Sequence, residues 1–220
     1  MNTINKIISS ILEENNKPRK YNILFTPRRV EKRIKDRIEQ ARIVLQQEEV
    51  YGDIDLSDLP ITDLGNLKII HGNLNLGYSK IASLGKLSRV LGDLDISYTN
   101  VSRLGNLRMV DGSLDMSYTN VRSLGNLRYV GGNLVAPSTK LMTLGSLKEV
   151  RGSLSLVGCH NLRSLRPLEI VGNNLILNGT KVTDLSSLRM VGGKVYVDED
   201  SEIDMDKIGV GIRVVRARIW

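Results

Sequence analysis

Reactive side chains are scarce in this chain. It has two histidines, His71 and His160, and one cysteine, Cys159. Cys159 and His160 are consecutive and form the sole pairing of a nucleophile with a base. Thiolate catalysis needs the base within hydrogen-bond reach of the sulfur. Neighbours in an extended segment point to opposite sides, so the pair is expected to serve structure. The same residues make a poor zinc site, because two of the three are adjacent. The triplet Gly209 to Gly211 reads GVG and lacks the third glycine and the following helix of a phosphate-binding loop. No catalytic, metal-ligating or cofactor-binding residue is assigned, and the chain is expected not to be an enzyme.

The elements that position these residues follow from a repeat. Glycine recurs every 20 residues at Gly52, Gly72, Gly92, Gly112, Gly132 and Gly152, and the frame continues through Asn173 to Gly193 after one added residue near Cys159. In the Gly112 repeat the aliphatic positions are Leu114, Met116, Val121, Leu124, Leu127 and Val130. The spacing of two between the first pair predicts a short strand with alternate residues inward. The later spacings of three predict a tight extended or 3₁₀-like return path. One unit cannot bury its own apolar edge, so the units are expected to stack and share a core.

That register makes the outward strand positions legible. One column runs Asp53, Asn73, Asp93, Ser113, Asn133, Ser153, Asn174, Lys194, and the other Asp55, Asn75, Asp95, Asp115, Val135, Ser155, Ile176, Tyr196. Stacked strands lie about 4.8 Å apart, so Asp95 and Asp115 are close enough for a glycosidase-like carboxylate pair or a weak cation site. The alternation of Asp with Asn and Ser elsewhere fits a solvated face, which is the favoured expectation. From the fifth repeat onward the face changes character. Val135, Val157, Ile176 and Tyr196 converge there and are expected to form a covered patch, under either residues 204–220 or a protein partner. Tyr78, Tyr98 and Tyr118 are expected to stack at the strand exit, until Ser138, Gly158 and Gly179 end the column.

The pattern resembles the leucine-rich repeat superfamily. LDMSYTNV supplies Leu114, Met116 and Val121, with Thr119 in the slot where that family places Asn or Cys, and LSLVGCHNL puts Cys159 there. The 20-residue form also looks like compact repeat proteins of bacteria and tailed phages. The resemblance implies an α/β repeat solenoid, a parallel-sheet leucine-rich-repeat coil, used mainly as a binding scaffold.

A solenoid needs its ends closed. Thr26 as N-cap, Pro27 at the first helical position and apolar Val30, Ile34, Ile38, Ala41 and Leu45 predict a helical cap over 26–47, preceded by a shorter helix over Ile4 to Leu12. Ile208, Val210, Ile212 and Val214 alternate like a strand and predict a C-terminal β cap. The expected organisation is a helical arm at 1–48, a solenoid at 49–203 and a cap strand at 204–220.

The net charge of +7 equals the excess of one segment within the arm, 17–42. Between Lys17 and Arg42 ten Lys or Arg accompany three acids, while the rest of the chain balances 21 against 21. A protein partner is the first expectation. The alternative is nucleic acid bound through Lys17, Arg19, Lys20, Arg28, Arg29, Lys32 and Arg33. No run of about eighteen apolar residues predicts a membrane helix, the N-terminus lacks the continuous apolar stretch of a secretory signal, and one cysteine provides no disulfide framework. A cytoplasmic or virion-internal location follows.

Overall fold

In a computed structural model, residues 27–217 of the chain are described, with side-chain surroundings from residue 32 onward. The shorter helix expected over Ile4 to Leu12, the N-cap Thr26 and the basic residues Lys17, Arg19 and Lys20 lie outside the described residues. The chain divides into two compact units, Met1–Ile43 and Val44–Trp220.

The first unit contains most of a helix spanning Pro27–Val44. Proline starts it because its missing N–H would be unpaired there in any case. Lys32, Arg33 and Lys35 are exposed, whereas Ile34 and Ile38 are half-buried and Ala41 is buried, which is the expected apolar stripe. Leu45, expected to close that stripe, belongs to the second unit, where its carbonyl accepts the Asn66 N–H at 2.9 Å.

Each repeat of the second unit supplies two short strands around a bend. In the Gly112 repeat these are Met109–Val110 and Leu114–Asp115. Stacking joins the strands into two parallel sheets, eight-stranded and nine-stranded among the described residues, each strand pairing with its counterpart one turn away. Leu114 faces Leu94 and Leu134, while Val110 faces Val90 and Val130. Constant register converts the 20-residue period into side-chain columns. Leu114, Met116, Val121, Leu124, Leu127 and Val130 are all fully buried, at about 1.5–3 kcal/mol for each large aliphatic side chain.

Of the two expected return forms, the extended one is present, and it is a second sheet. The slot that closes it reads Ile70, Val90, Val110, Val130, Val150, Val171, Val191, β-branched at every rung as a strand favours. The solenoid is therefore a β-coil, and the α-helix of the described chain is the one at Pro27–Val44. The added residue near Cys159 sits in a turn, where Cys159 N–H bonds to Leu156 O and Leu162 N–H to Cys159 O. The register resumes with Ser155 opposite Ile176.

At the far end the nine-stranded sheet gains Arg213–Arg216, parallel to Lys194–Val197. This is the expected β cap with a different start. Residues 208–212 are not strand: Val210 is fully exposed, Gly211 has φ +87°, and the Ile212 N–H closes a turn onto Gly209 O at 3.2 Å. Two glycines in this short stretch break the alternation that the aliphatic spacing suggests.

Candidate functional site

Cys159 occupies the buried slot at the strand exit, fully shielded, with its sulfur 3.2 Å from Thr139 Oγ1 and 3.3 Å from Ala136 O. Burial pushes its thiol up, against the smaller opposite pull of Thr139. His160 is exposed. The two do not face each other, and the slot does backbone work along the column. The Thr99, Thr119 and Thr139 hydroxyls donate to carbonyls three residues back at 2.6, 2.8 and 3.1 Å.

Asp95 and Asp115 are direct register partners, and local geometry uses one oxygen of each. Asp95 Oδ1 accepts the Ser97 N–H at 2.8 Å, and Asp115 Oδ1 accepts the Ser117 N–H at 2.8 Å and its hydroxyl at 2.5 Å. These are Asx turns, which guide the chain out of the strand. Among the described residues no group of three or more His, Cys, Asp or Glu could hold a metal ion.

The other outward column has a structural task that the residue pattern does not announce. Each side-chain oxygen accepts the backbone N–H of the equivalent residue one rung on. Asp53 receives Asn73, Asn73 receives Asp93, and the ladder continues through Ser113, Asn133, Ser153 and Asn174 to the Lys194 N–H, seven bonds of 2.6–3.4 Å. The ladder explains the recurring glycine. A Cβ on Gly112 would lie 2.3 Å from Asp93 Oδ1 and 2.6 Å from the Gly92 carbonyl carbon. Its absence makes room for the neighbouring rung. Repetition of Asp, Asn or Ser immediately after glycine is the sequence signal of this ladder.

Beside the Asx turns stand Tyr78, Tyr98 and Tyr118. Their rings stack at 4.6 and 4.7 Å between centroids, and they remain 61%, 47% and 54% exposed. All three have left-handed backbone, φ +59°, +55° and +56°, an outlier conformation for a bulky residue. Ser138, Gly158 and Gly179 hold the same conformation in later rungs. Partial desolvation raises the Tyr98 phenol pKa, and the Tyr118, Tyr78 and Asp115 groups add to the shift.

Val135, Ile176 and Tyr196 lie in one outward column, half-buried, and Val215 of the last strand extends it opposite Tyr196. Val157 is half-buried in the following turn. The last strand lengthens the sheet at its edge. On the return flank Lys148 and Arg189 both approach Glu169, at 3.7 and 3.4 Å, and Lys68 meets Glu48 at 2.7 Å. Arg28 and Arg29 lie in the first turn of the helix, which contains no acid. Among the described residues no helix is long and apolar enough to cross a membrane. Comparison with protein-family models, curated proteins and solved structures finds no match to this chain.

Proposed function

We propose that the chain is a non-enzymatic protein-interaction scaffold, a rigid solenoid that holds the tyrosine ladder against a protein partner within a larger bacterial or phage assembly. The supporting observation is the left-handed backbone of three exposed tyrosines. Such backbone costs an L-residue roughly 1–2 kcal/mol, and a stacked aromatic pair returns about 0.5–1.5 kcal/mol. Three strained residues and two stacks give no net stabilisation. Glycine fills the slot without strain at Gly158 and Gly179. Stability alone does not account for the tyrosines, and contact with a partner does, since tyrosine is a favoured interface side chain. The Val135, Ile176 and Tyr196 column, with Val157 nearby, would extend the contact along the same sheet. The resemblance to leucine-rich repeats, mainly binding scaffolds, agrees with this reading, which would place the chain in the cytoplasm or inside a virion. The test is capture of partners from native extract by the wild-type chain and by Tyr98→Gly and Ile176→Asp variants. A protein retained by the wild type and lost from Tyr98→Gly is expected. Equal retention by all three would remove the sheet face from consideration.

A second reading, nucleic-acid binding through the arm, is favoured by the helix start. Helix N-termini stabilise anions, and here Arg28 and Arg29 stand there with no acid in the first turn, an arrangement that phosphates would relieve. Binding of this kind falls linearly with log salt. An Arg28→Gln, Arg29→Gln double variant should lower that slope. Absence of any binding at low salt would end this reading.

A further inference from the structure

The ladder of side-chain acceptors stops at Lys194. Every earlier member of the column, from Asp53 to Asn174, offers an oxygen to the next rung. Lys194 receives such a bond and cannot pass one on, because an ammonium has donors alone. Its register partner on the last strand is Arg213, whose amide would be the next to be received. Two cations are thus stacked on adjacent strands, an unfavourable cross-strand pair, and neither has a carboxylate partner among the described residues.

A groove of about 380 Å³ opens at this point, lined by Asn174, Gly193, Lys194, Tyr196, Gly211 and Arg213 among others, with no acidic side chain. Topology creates it. The nine-stranded sheet runs one strand past the eight-stranded one, so the last strand overhangs a corner that no further return strand fills. Gly211, at φ +87°, turns the chain into that strand, and a Cβ there would meet nothing within 4 Å. Asn174 directs its oxygen to the Lys194 N–H at 2.9 Å, which leaves its amide NH₂ as a donor. Tyr196, which also lines the groove, carries a hydroxyl able to donate.

The geometry points to an oxyanion-binding groove at the C-terminal end of the solenoid, taking a phosphate or phosphomonoester group that Lys194 and Arg213 hold between them. The oxyanion supplies the acceptor that the column lacks at Lys194. It receives charge-assisted hydrogen bonds from the guanidinium and ammonium and relieves their mutual repulsion. A tetrahedral dianion suits the site better than a carboxylate, because residues from two strands and from the Gly211 turn line the groove and a phosphate has more acceptor oxygens to share among them.

The test is a titration of the full chain with sodium phosphate at constant ionic strength, balanced by chloride and read at the Gly193, Gly211 and Arg213 amides by NMR. Phenyl phosphate and acetate serve as parallel probes. Saturable shifts confined to these amides are expected with phosphate. Lys194→Gln and Arg213→Gln should each weaken binding by roughly tenfold, the loss of one charge-assisted hydrogen bond, while Lys194→Arg retains it. Phenyl phosphate binding as well as phosphate identifies a phosphoryl group on a larger molecule as the ligand, and weaker binding identifies free phosphate. Three results would overturn the proposal: shifts no larger than chloride produces, undiminished affinity in both Gln variants, or acetate binding as tightly as phosphate.

Discussion

Tyr98 separates stability from function within one side chain. Replacing it with glycine removes left-handed strain of roughly 1–2 kcal/mol and two ring stacks of about 0.5–1.5 kcal/mol each. The expected change in a urea melt is therefore within about 1–2 kcal/mol in either direction, while partner binding is lost. A large loss of stability would instead make the ladder a structural brace. Cys159 provides the opposite case. Its thiol is fully buried, bonded to Thr139 and pushed up by burial, so reaction with an aromatic disulfide reagent should await unfolding. Rapid labelling of the native protein would reopen a chemical role for the Cys159 and His160 pair. The buried cysteine is legible in the sequence because the repeat assigns its slot. The strained tyrosines are not, because tyrosine carries none of the turn chemistry that marks a left-handed position.

At the scale of the element, spacing reveals one strand per repeat and conceals the other. The apolar pair two residues apart, Leu114 and Met116, announces a strand. The return strand at Met109–Val110 presents a single inward residue per rung, too short for alternation to show, and β-branching at that slot is its remaining sign. The polar outward column reads as solvated surface because Asp, Asn and Ser suit solvent as well as they suit backbone amides. The ladder gives those residues a measurable energetic role. Asp93→Ala removes the acceptor that receives the Ser113 N–H at 2.6 Å, at a cost of about 0.5–1.5 kcal/mol, because the bond is exposed and water can take its place. Gly112→Ala should cost about 1–3 kcal/mol by overpacking. Combining the two should not rescue it, because the Gly92 carbonyl carbon, 2.6 Å from the new Cβ, remains. Full recovery in the double variant would show that the side chain alone excludes a methyl group there.

For the whole molecule, the period of 20 makes the stacked architecture legible from residue spacing alone, while the C-terminal overhang is hidden by aliphatics at Ile208, Val210, Ile212 and Val214 that mimic a strand across two glycines. Stacking also governs how the protein should fail. Each rung pairs with its immediate neighbours, so stability is close to a sum of rung and interface contributions. Leu124 is fully buried at mid-solenoid, and Leu124→Ala should cost about 2–5 kcal/mol by leaving a cavity between rungs. In a globular domain that loss spreads evenly through a cooperative core. In a stack it concentrates at the two interfaces that Leu124 touches. Hydrogen exchange by mass spectrometry should then show protection falling first in peptides covering residues 110–135, with peptides near Leu74 and Leu175 retaining protection under mild denaturant. The Arg213–Arg216 strand, the last of its sheet, should exchange faster than the central strands in both proteins, because a terminal rung has one interface instead of two. A uniform fall in protection along residues 50–200 would mean that the rungs unfold as a single unit and that the nearest-neighbour description fails for this chain.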